Sequence, residues 1–448
     1  MFSAMLRLSI LFCLLLCFAM EAPVTLAAEP RWDVSGALRV RGEVLADSFR
    51  LLAPQRDELL LTRLEMGVKY RGERLQGQLE VQDSRAFNDR ALSPIGTDDV
   101  NALEPIQAWL GTGWQLEEGT LQARVGRMTL DYGSRRLLAR NNFRNSSNAF
   151  QGGLLRWERG ATQLQGFFLL PLQRQPGALQ REALRENRMQ LDRAGSAERL
   201  GGFTASWESA AGAAYEAYLF DSRRRARRLR PVGEHDLLTL GGRLRLQRGP
   251  WRGEGELAVQ WGESRPVPVP SVPWQTHRAW TVHASVARQL GNALELRLIY
   301  DQASGDDDPT DNRNERFDRL YGARAFELGP SGIFGLAVRS NLRSVALRLQ
   351  AQPHEDHRIL FSLRQLSLDS PRDALIGSGR RDFSGASGRD IGQQWELRWR
   401  WTLSPLELEA GLALLDPGSY FKGAGAPLNP PLEASLSRYA FTQMTWRF

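Results

Sequence analysis

Cysteine is nearly absent from this chain of 448 residues. The two that occur, Cys13 and Cys17, both fall within the first 28 residues, so the rest of the chain has no disulfide and no cysteine nucleophile. Histidine is scarce: His235, His277, His283, His354 and His357. No H-E-x-x-H, G-x-S-x-G or phosphate-loop pattern occurs. Ser285, two residues from His283, is the one seed for a nucleophile and its base, at a spacing common by chance. The chain is therefore read as not an enzyme, and no cofactor is expected. Lysine is almost missing too. Of 58 basic residues only Lys69 and Lys422 are lysines, and the rest are arginines. GC-rich coding accounts for such a bias by itself; the functional alternative is bidentate binding of carboxylates by a cation that never loses its charge. Net charge is +7, but bases alternate with acids along the chain, which disfavours nucleic acid as a partner. Beyond residue 28 no apolar run is long enough for a transmembrane helix.

The start of the chain has the order of a secretory signal peptide. Arg7 precedes an apolar run over 8–20, and a short polar stretch leads to Ala27 and Ala28. Neither cysteine follows Gly, Ala or Ser, which argues against a lipoprotein. The expected division is a leader over 1–28 and a single unit over 29–448.

What the chain has in abundance is a period of two. Backwards from the end, Phe448, Trp446, Met444, Thr442 and Ala440 share one face, and Arg447, Thr445, Gln443, Phe441 and Tyr439 share the other. An apolar strand exposed at a sheet edge invites aggregation, whereas a closed barrel has no edge. Eighteen such segments are expected, at 31–44, 58–70, 73–83, 103–112, 119–127, 150–158, 161–171, 199–208, 213–221, 236–248, 251–262, 276–289, 293–303, 341–351, 356–367, 391–402, 405–415 and 437–448. Tight turns, among them Arg71-Gly72, Arg159-Gly160, Gly249-Pro250 and Leu403-Ser404, alternate with long loops. That is the pattern of an all-β, antiparallel, up-and-down barrel in the bacterial outer membrane, with short turns on the periplasmic side. Negative mean hydropathy agrees, because barrel strands are apolar on one face only. In the first segment Trp32, Val34, Leu38, Val40 and Val44 belong to the lipid, and Asp33, Ser35, Arg39, Arg41 and Glu43 to the lumen. The reverse would put each arginine in the bilayer at about 2–4 kcal/mol.

Some stretches are more specific. They are residues 126–138 from Gly126-Arg127 to Arg135-Arg136, then Asn142 to Asn145 and Phe150 to Gly152. They are also residues 303–309, Asn314 to Phe317, Leu320 to Gly322 and Arg339 to Ser344, with the close from Tyr420 to Phe448. Together they resemble the alginate-export family of outer-membrane proteins over most of the chain beyond the leader. The resemblance implies a monomeric eighteen-stranded barrel with an arginine-rich passage for an anionic polyuronate. The family domain also occurs in proteins with other cargo, so the fold transfers more firmly than the substrate.

A polyuronate passage needs several weak cationic sites in series. Hairpin counting removes some arginines from that role. It pairs Arg400 with Glu407, Arg398 with Glu409, Arg245 with Glu254, Arg243 with Glu256 and Arg63 with Glu80, as cross-strand wall pairs. The arginines without such a partner are the candidates for cargo: Arg39, Arg41, Arg124, Arg297, Arg348, Arg358 and Arg364 on strands, and Arg127, Arg135, Arg136, Arg140 and Arg144 in the third long loop. That loop is expected to fold inward and narrow the lumen; its alternative is a solvated outer loop on lipopolysaccharide phosphate. The basic run over 223–230 fits anionic polysaccharide, lipopolysaccharide or plain solvation. Asp306, Asp307, Asp308 and Asp311 form a weak Ca²⁺ candidate, the alternative being pairing with Arg313, Arg316 and Arg319.

Three functions remain open: a passive channel exporting an anionic polysaccharide, an anion-selective porin for small carboxylates, and a surface polysaccharide binder that the barrel merely anchors. Expected partners are outer-membrane lipid and lipopolysaccharide, the polysaccharide cargo, a periplasmic scaffold delivering it, and the barrel-assembly machinery acting on the C-terminal strand.

Overall fold

The structure is a computed structural model that describes residues 30–210, 212–226, 233–266, 272–323, 327–422, 426–433 and 436–448. The expected leader, with both cysteines, and residues 227–230 of the basic run lie outside the described residues.

Residue alternation turns into strands almost segment by segment. The first nine are β1 (Arg31–Ala46), β2 (Arg56–Arg71), β3 (Gln76–Phe87), β4 (Asn101–Leu116), β5 (Gly119–Met128), β6 (Phe150–Arg159), β7 (Thr162–Pro171), β8 (Glu198–Glu208) and β9 (Ala214–Arg224). There follow β10 (Glu234–Arg248), β11 (Trp251–Arg265), β12 (Gln275–Leu290), β13 (Leu294–Ala303) and a two-residue β14 (Arg313–Asn314). The last five are β15 (Leu342–His354), β16 (His357–Ser367), β17 (Asp390–Leu403), β18 (Leu406–Pro417) and β19 (Ser437–Arg447). All but β14 pair with their sequence neighbours in one antiparallel sheet, and β1 closes the ring on β19 from Ala37 opposite Arg447 to Ala46 opposite Arg438. Phe448 adds two backbone bonds to Gly36. The result is a closed eighteen-stranded barrel, and β14 is a loop element lying parallel to β12.

Side-chain parity decides the faces. On β1, Trp32 and Val34 are 66% and 74% exposed, while Arg39, Arg41 and Glu43 are at most 3%. Leu240, Leu246, Trp395, Leu397, Trp399, Met444 and Trp446 also face outward. The outer wall is thus apolar and the charged set is internal, the order a bilayer requires. Among the described residues no helix is long and apolar enough to cross a membrane.

The core lies inside the barrel, where long loops meet the inner wall. One apolar cluster packs Phe49, Phe334, Tyr420, Phe421, Tyr439 and Phe441; the other packs Leu137, Leu138, Phe150, Phe167, Phe220 and Phe317. In both clusters residues of long loops, such as Phe49, Phe334, Leu137 and Phe317, pack on inward side chains of the strands, such as Phe441, Phe167 and Phe220.

Two hairpin connections differ from the sequence expectation. The link between β2 and β3 is four residues, 72–75, with Arg71 opposite Gln76. Arg63 therefore faces Ser84, Glu80 faces Gly67, and the expected Arg63–Glu80 pair does not form. Between β17 and β18 the turn is Ser404 and Pro405, one residue later than expected, which slides the ladder by two. Arg400 opposes Glu409, and Glu407 opposes Thr402.

Candidate functional site: an arginine-lined lumen crossed by two loops

The third long loop, 129–149, enters the lumen, the inward course expected for it from the sequence. Its tip is held on the β1–β2 wall by guanidinium groups. Arg39 donates to the carbonyl oxygens of Asn142 and Arg144, each at 2.8 Å, and to Asn145 Oδ1 at 3.0 Å. Arg63 donates to the same two carbonyls at 3.1 Å. Arg41 donates to the Phe143 carbonyl at 2.6 Å and lies over its ring at 4.0 Å. Asn145 anchors the tip further, its amide reaching the carbonyls of Thr62, Arg85 and Asp99.

The seventh long loop, 304–341, also turns inward. Arg348 and Arg364 donate to the Glu327 carbonyl, and Glu43 accepts from the Ile333 amide at 2.9 Å. Gly332, at φ +33°, makes that approach possible, since a Cβ there would overlap the Glu43 carboxylate. The two loops join where Leu138 bridges Tyr321 in parallel, Tyr321 N–H donates to the Leu137 carbonyl at 3.0 Å and Ala323 N–H to that of Arg135 at 2.9 Å. Gly322 sits so close to the Arg136 carbonyl that no side chain fits there.

Arg136 fastens this junction to the wall. It is buried among Glu254 at 2.7 Å, Glu256 at 2.5 Å and Glu327 at 2.5 Å. Burial alone works against its charge; Glu327, Glu256 and Glu254 outweigh that and raise its pKa well above the ordinary value. Glu327 is likewise held down to about 2, its burial outweighed by Arg136 and Arg339. Arg339 bonds Glu327 at 2.6 Å, and Asp301 takes His283 at 2.8 Å. Glu254, His283 and Glu327 could offer ligand atoms within 4.8 Å of one another. Both carboxylates are already neutralised by arginine, so the cluster is an ion network in which a metal would have to displace guanidinium.

Two cavities lie on either side of the loop tip. The first, about 600 Å³, is bordered by Arg39, Arg63, Arg135, Arg398, Arg400 and Arg447, with Glu65, Glu407 and Glu409. Arg400, Glu407 and Arg447 are beside the Ser404–Pro405 turn, so this vestibule opens toward the periplasmic rim. The second, about 380 Å³, is bordered by Arg50, Arg144 and Arg181 with Asp98 and Asp99, all from the opposite side. Arg41 borders both.

Most candidate arginines prove to be engaged. Arg127 pairs with Glu104 and the Pro105 carbonyl, Arg140 with Glu65 and Glu80, Arg144 with Asp98, and Arg297 with Glu295. Arg364 adds Ser344 and Asp301 to its carbonyl contact. Arg124 stacks over Trp109 at 4.7 Å, and Arg358 is exposed at the periplasmic rim, opposite Arg400. Arg135, at φ +64°, borders the vestibule.

Some of the expected wall pairs are remade. Arg243 opposes Glu256, and Arg245 opposes Glu254, but the bonds run diagonally. Arg243 takes Glu254 at 3.0 Å and Glu216 at 2.9 Å, Arg245 only approaches Glu216 at 3.9 Å, and Glu256 goes to Arg136. Arg63 takes Glu65 at 3.4 Å, leaving Glu80 to Arg140. Arg398 and Arg400 converge on Glu409, and Glu407 stays 3.8 Å from Arg400. Reading Arg63, Arg398 and Arg400 as wall elements alone hid their position on the vestibule. Arg447, adjacent to the terminal aromatic, was missed altogether; its inward parity was the available signal.

The aspartates considered for Ca²⁺ do not converge. Asp308 is turned onto Thr310, Asp311 caps Arg313 N–H at 2.7 Å, and Asp306 accepts from Glu315 N–H while Arg316 takes Asp373. Ser285 contacts Arg297 rather than His283. A different set has triad-like geometry: Ser222 Oγ is 2.9 Å from His235 Nε2, and His235 Nδ1 is 3.3 Å from Asp318. Ser222 is only 1% exposed and Arg224 is also bound to Asp318, so this trio ties loop to wall with no room for a substrate.

A closed barrel with an apolar outer belt and a polar, loop-crossed lumen defines an outer-membrane channel-type protein. The alginate-export family profile matches residues 31–427, and the chain belongs to that family. Its fold is similar to that of solved Occ barrels. OccAB2 of Acinetobacter baumannii aligns with TM-score 0.58 at 11% identity, covering 93% of this chain and 98% of its own. OccK5 (OpdH) of Pseudomonas aeruginosa aligns with TM-score 0.55 at 10% identity, and OccK2 (OpdF) of the same organism, solved in complex with glucuronate, with 0.53 at 12%, each over 93% and 98% of the two chains. No curated protein matches the sequence.

Proposed function

We propose that the chain is a passive outer-membrane channel for an anionic polysaccharide of the polyuronate type, carried outward. The observation behind this reading is the vestibule, where eight arginines, Arg41 and Arg140 among them, face three glutamates on the side from which a periplasmic polymer arrives. A surplus of fixed cations in a narrow space concentrates anions there, and guanidinium groups suit carboxylates in particular. Family membership supports a polysaccharide cargo. The glucuronate held by OccK2 supports a uronate-sized unit, and also keeps a second reading in play, a porin for small carboxylates. Delivery by a periplasmic scaffold, a monomeric state and assembly through β19 belong to the same reading. No catalytic role is assigned, because the triad-like trio is sealed.

Single-channel current of the refolded protein in a planar bilayer tests it. Anion selectivity in a salt gradient, with block by oligouronates that weakens severalfold in Arg398→Ala/Arg447→Ala, is expected. Anion current indifferent to oligouronates favours the small-carboxylate porin, and a silent bilayer containing folded protein leaves an anchored surface binder.

A further inference from the structure

Arg39, Arg41 and Arg63 stand at the meeting of the two cavities, and what they hold there is unusual. Among the described residues, every hydrogen bond of Arg39 goes to an uncharged oxygen of the third loop. Arg63 spends its two donated bonds on the same carbonyls and meets Glu65 only at 3.4 Å, a carboxylate already shared with Arg140 and Gln82. Arg41 shares Glu43 with the Ile333 amide. The Nε groups of Arg39 and Arg63 are buried with no acceptor. Three cations are thus packed together with most of their donated bonds on neutral acceptors, only the shared carboxylates of Glu43 and Glu65 beside them, and two Nε donors left over.

A carbonyl oxygen is a poor match for such a cluster. A guanidinium–carbonyl bond has charge on the donor only, whereas a carboxylate adds the opposite charge and presents two oxygens in the spacing of the guanidinium fork. The carbonyls of Asn142, Phe143 and Arg144 follow one another along the chain, so they offer a row of oxygens where a polyanion would offer its carboxylates. The vestibule brings an arriving anion to the other side of the same guanidinium groups.

We propose that 142–144 is a built-in stand-in for the cargo: its carbonyls occupy a carboxylate site formed by Arg39, Arg41 and Arg63, and cargo carboxylates displace them to open the way to the outer cavity. This rests on the polyuronate reading for the identity of the cargo, but the competition itself needs only carboxylate chemistry. Displacement lifts the loop tip from the wall. The amides tied to that position are then freed: Ser146 N–H on the Asp98 carbonyl at 3.0 Å, Ser147 N–H on Gln82 Oε1 at 3.0 Å and Asn148 N–H on the Arg140 carbonyl at 2.8 Å.

Hydrogen exchange of the peptide containing 146–148, in the full barrel in detergent, is the test. Oligouronates are added, with sodium acetate and a neutral oligosaccharide of equal length in parallel, at constant ionic strength. Oligouronates should speed exchange about tenfold, acetate should do so only at high concentration, and the neutral sugar should do nothing. In Arg39→Gln/Arg63→Gln, with folding checked by heat modifiability, exchange should already be fast and carboxylate should add less than about twofold. Oligouronates that block current but leave exchange unchanged overturn the displacement and leave the polyuronate reading standing. Acetate that speeds exchange while oligouronates neither bind nor act overturns the polyuronate cargo and keeps the site. No response to any carboxylate overturns the proposal outright, as does a double variant with exchange like the wild type.

Discussion

The inward loops are fastened at two places by the same chemical group, with opposite consequences. On the β1–β2 wall, Arg39, Arg41 and Arg63 grip backbone carbonyls of the third loop. Across the lumen, Arg136 carries the loop to β11 and to the seventh loop through Glu254, Glu256 and Glu327. One contact sets three cations mainly on neutral oxygens, with only Glu43 and the shared Glu65 beside them, and remains short of negative charge. The other is saturated with carboxylates. A guanidinium group in a lumen is therefore not by itself a cargo site: its availability depends on what already neutralises it.

The comparison breaks most visibly at Arg136. Arg136→Ala leaves Glu256 without its arginine and takes one of two arginines from each of Glu254 and Glu327, and losing one partner of a buried pair costs about 3–5 kcal/mol. The junction amides of Tyr321 and Ala323 should lose most of their protection in hydrogen exchange, while the β1–β2 contact at 146–148 changes far less. Equal loss at both places would mean the two fastenings are one unit.

A smaller effect sharpens it. Glu256→Gln turns one of the three acceptors of Arg136 into a neutral one, making that fastening more like the carbonyl-held side. Loss of a charged hydrogen bond is worth about 1.5–3 kcal/mol, read again as exchange at Tyr321 and Ala323. The open-channel reversal potential should move toward stronger anion selectivity, since a fixed negative charge has gone.

The smallest effect is a difference in pH response. Asp99, beside the carbonyl-held tip, has its carboxyl pushed up to about 7 by burial first, with Asp98 and Glu43 adding to it. A carboxyl raised in the folded state favours folding most below its ordinary value of 3.8, and that contribution is lost as pH rises through 7. Glu327, held down to about 2, contributes above its ordinary value and loses that only as pH falls toward 2. Between pH 5 and 8, roughly, exchange at 146–148 corrected for its intrinsic rate should rise about threefold, while the Arg136 junction stays constant. Asp99→Asn should remove the change.

The strands were legible because alternation of lipid and lumen faces leaves a period of two in the residues themselves. Seventeen connections tolerate errors of a residue or so without altering the barrel, since each hairpin finds its own register. Where a residue was misplaced, at the 72–75 link and at Ser404 and Pro405, turn length was the cause. Alternation says which face a residue takes but not which partner it meets. The inward third loop was legible from its arginines and from the family resemblance. The seventh loop's part was not, because its decisive contacts use the backbone of Tyr321, Ala323, Glu327 and Ile333, which carries no sequence signal.

The sequence by itself determined the barrel, its strand number, the lipid-facing belt and the arginine supply, because each follows from local alternation under the demand that backbone groups be paired within a membrane. Only the tertiary structure decided which arginines are spent and which are open. That choice depends on contacts between residues more than a hundred positions apart, such as Arg39 with Arg144 and Arg136 with Glu256. Such pairs are settled by how two loops pack across a lumen, a matter of space and charge balance that no local pattern encodes.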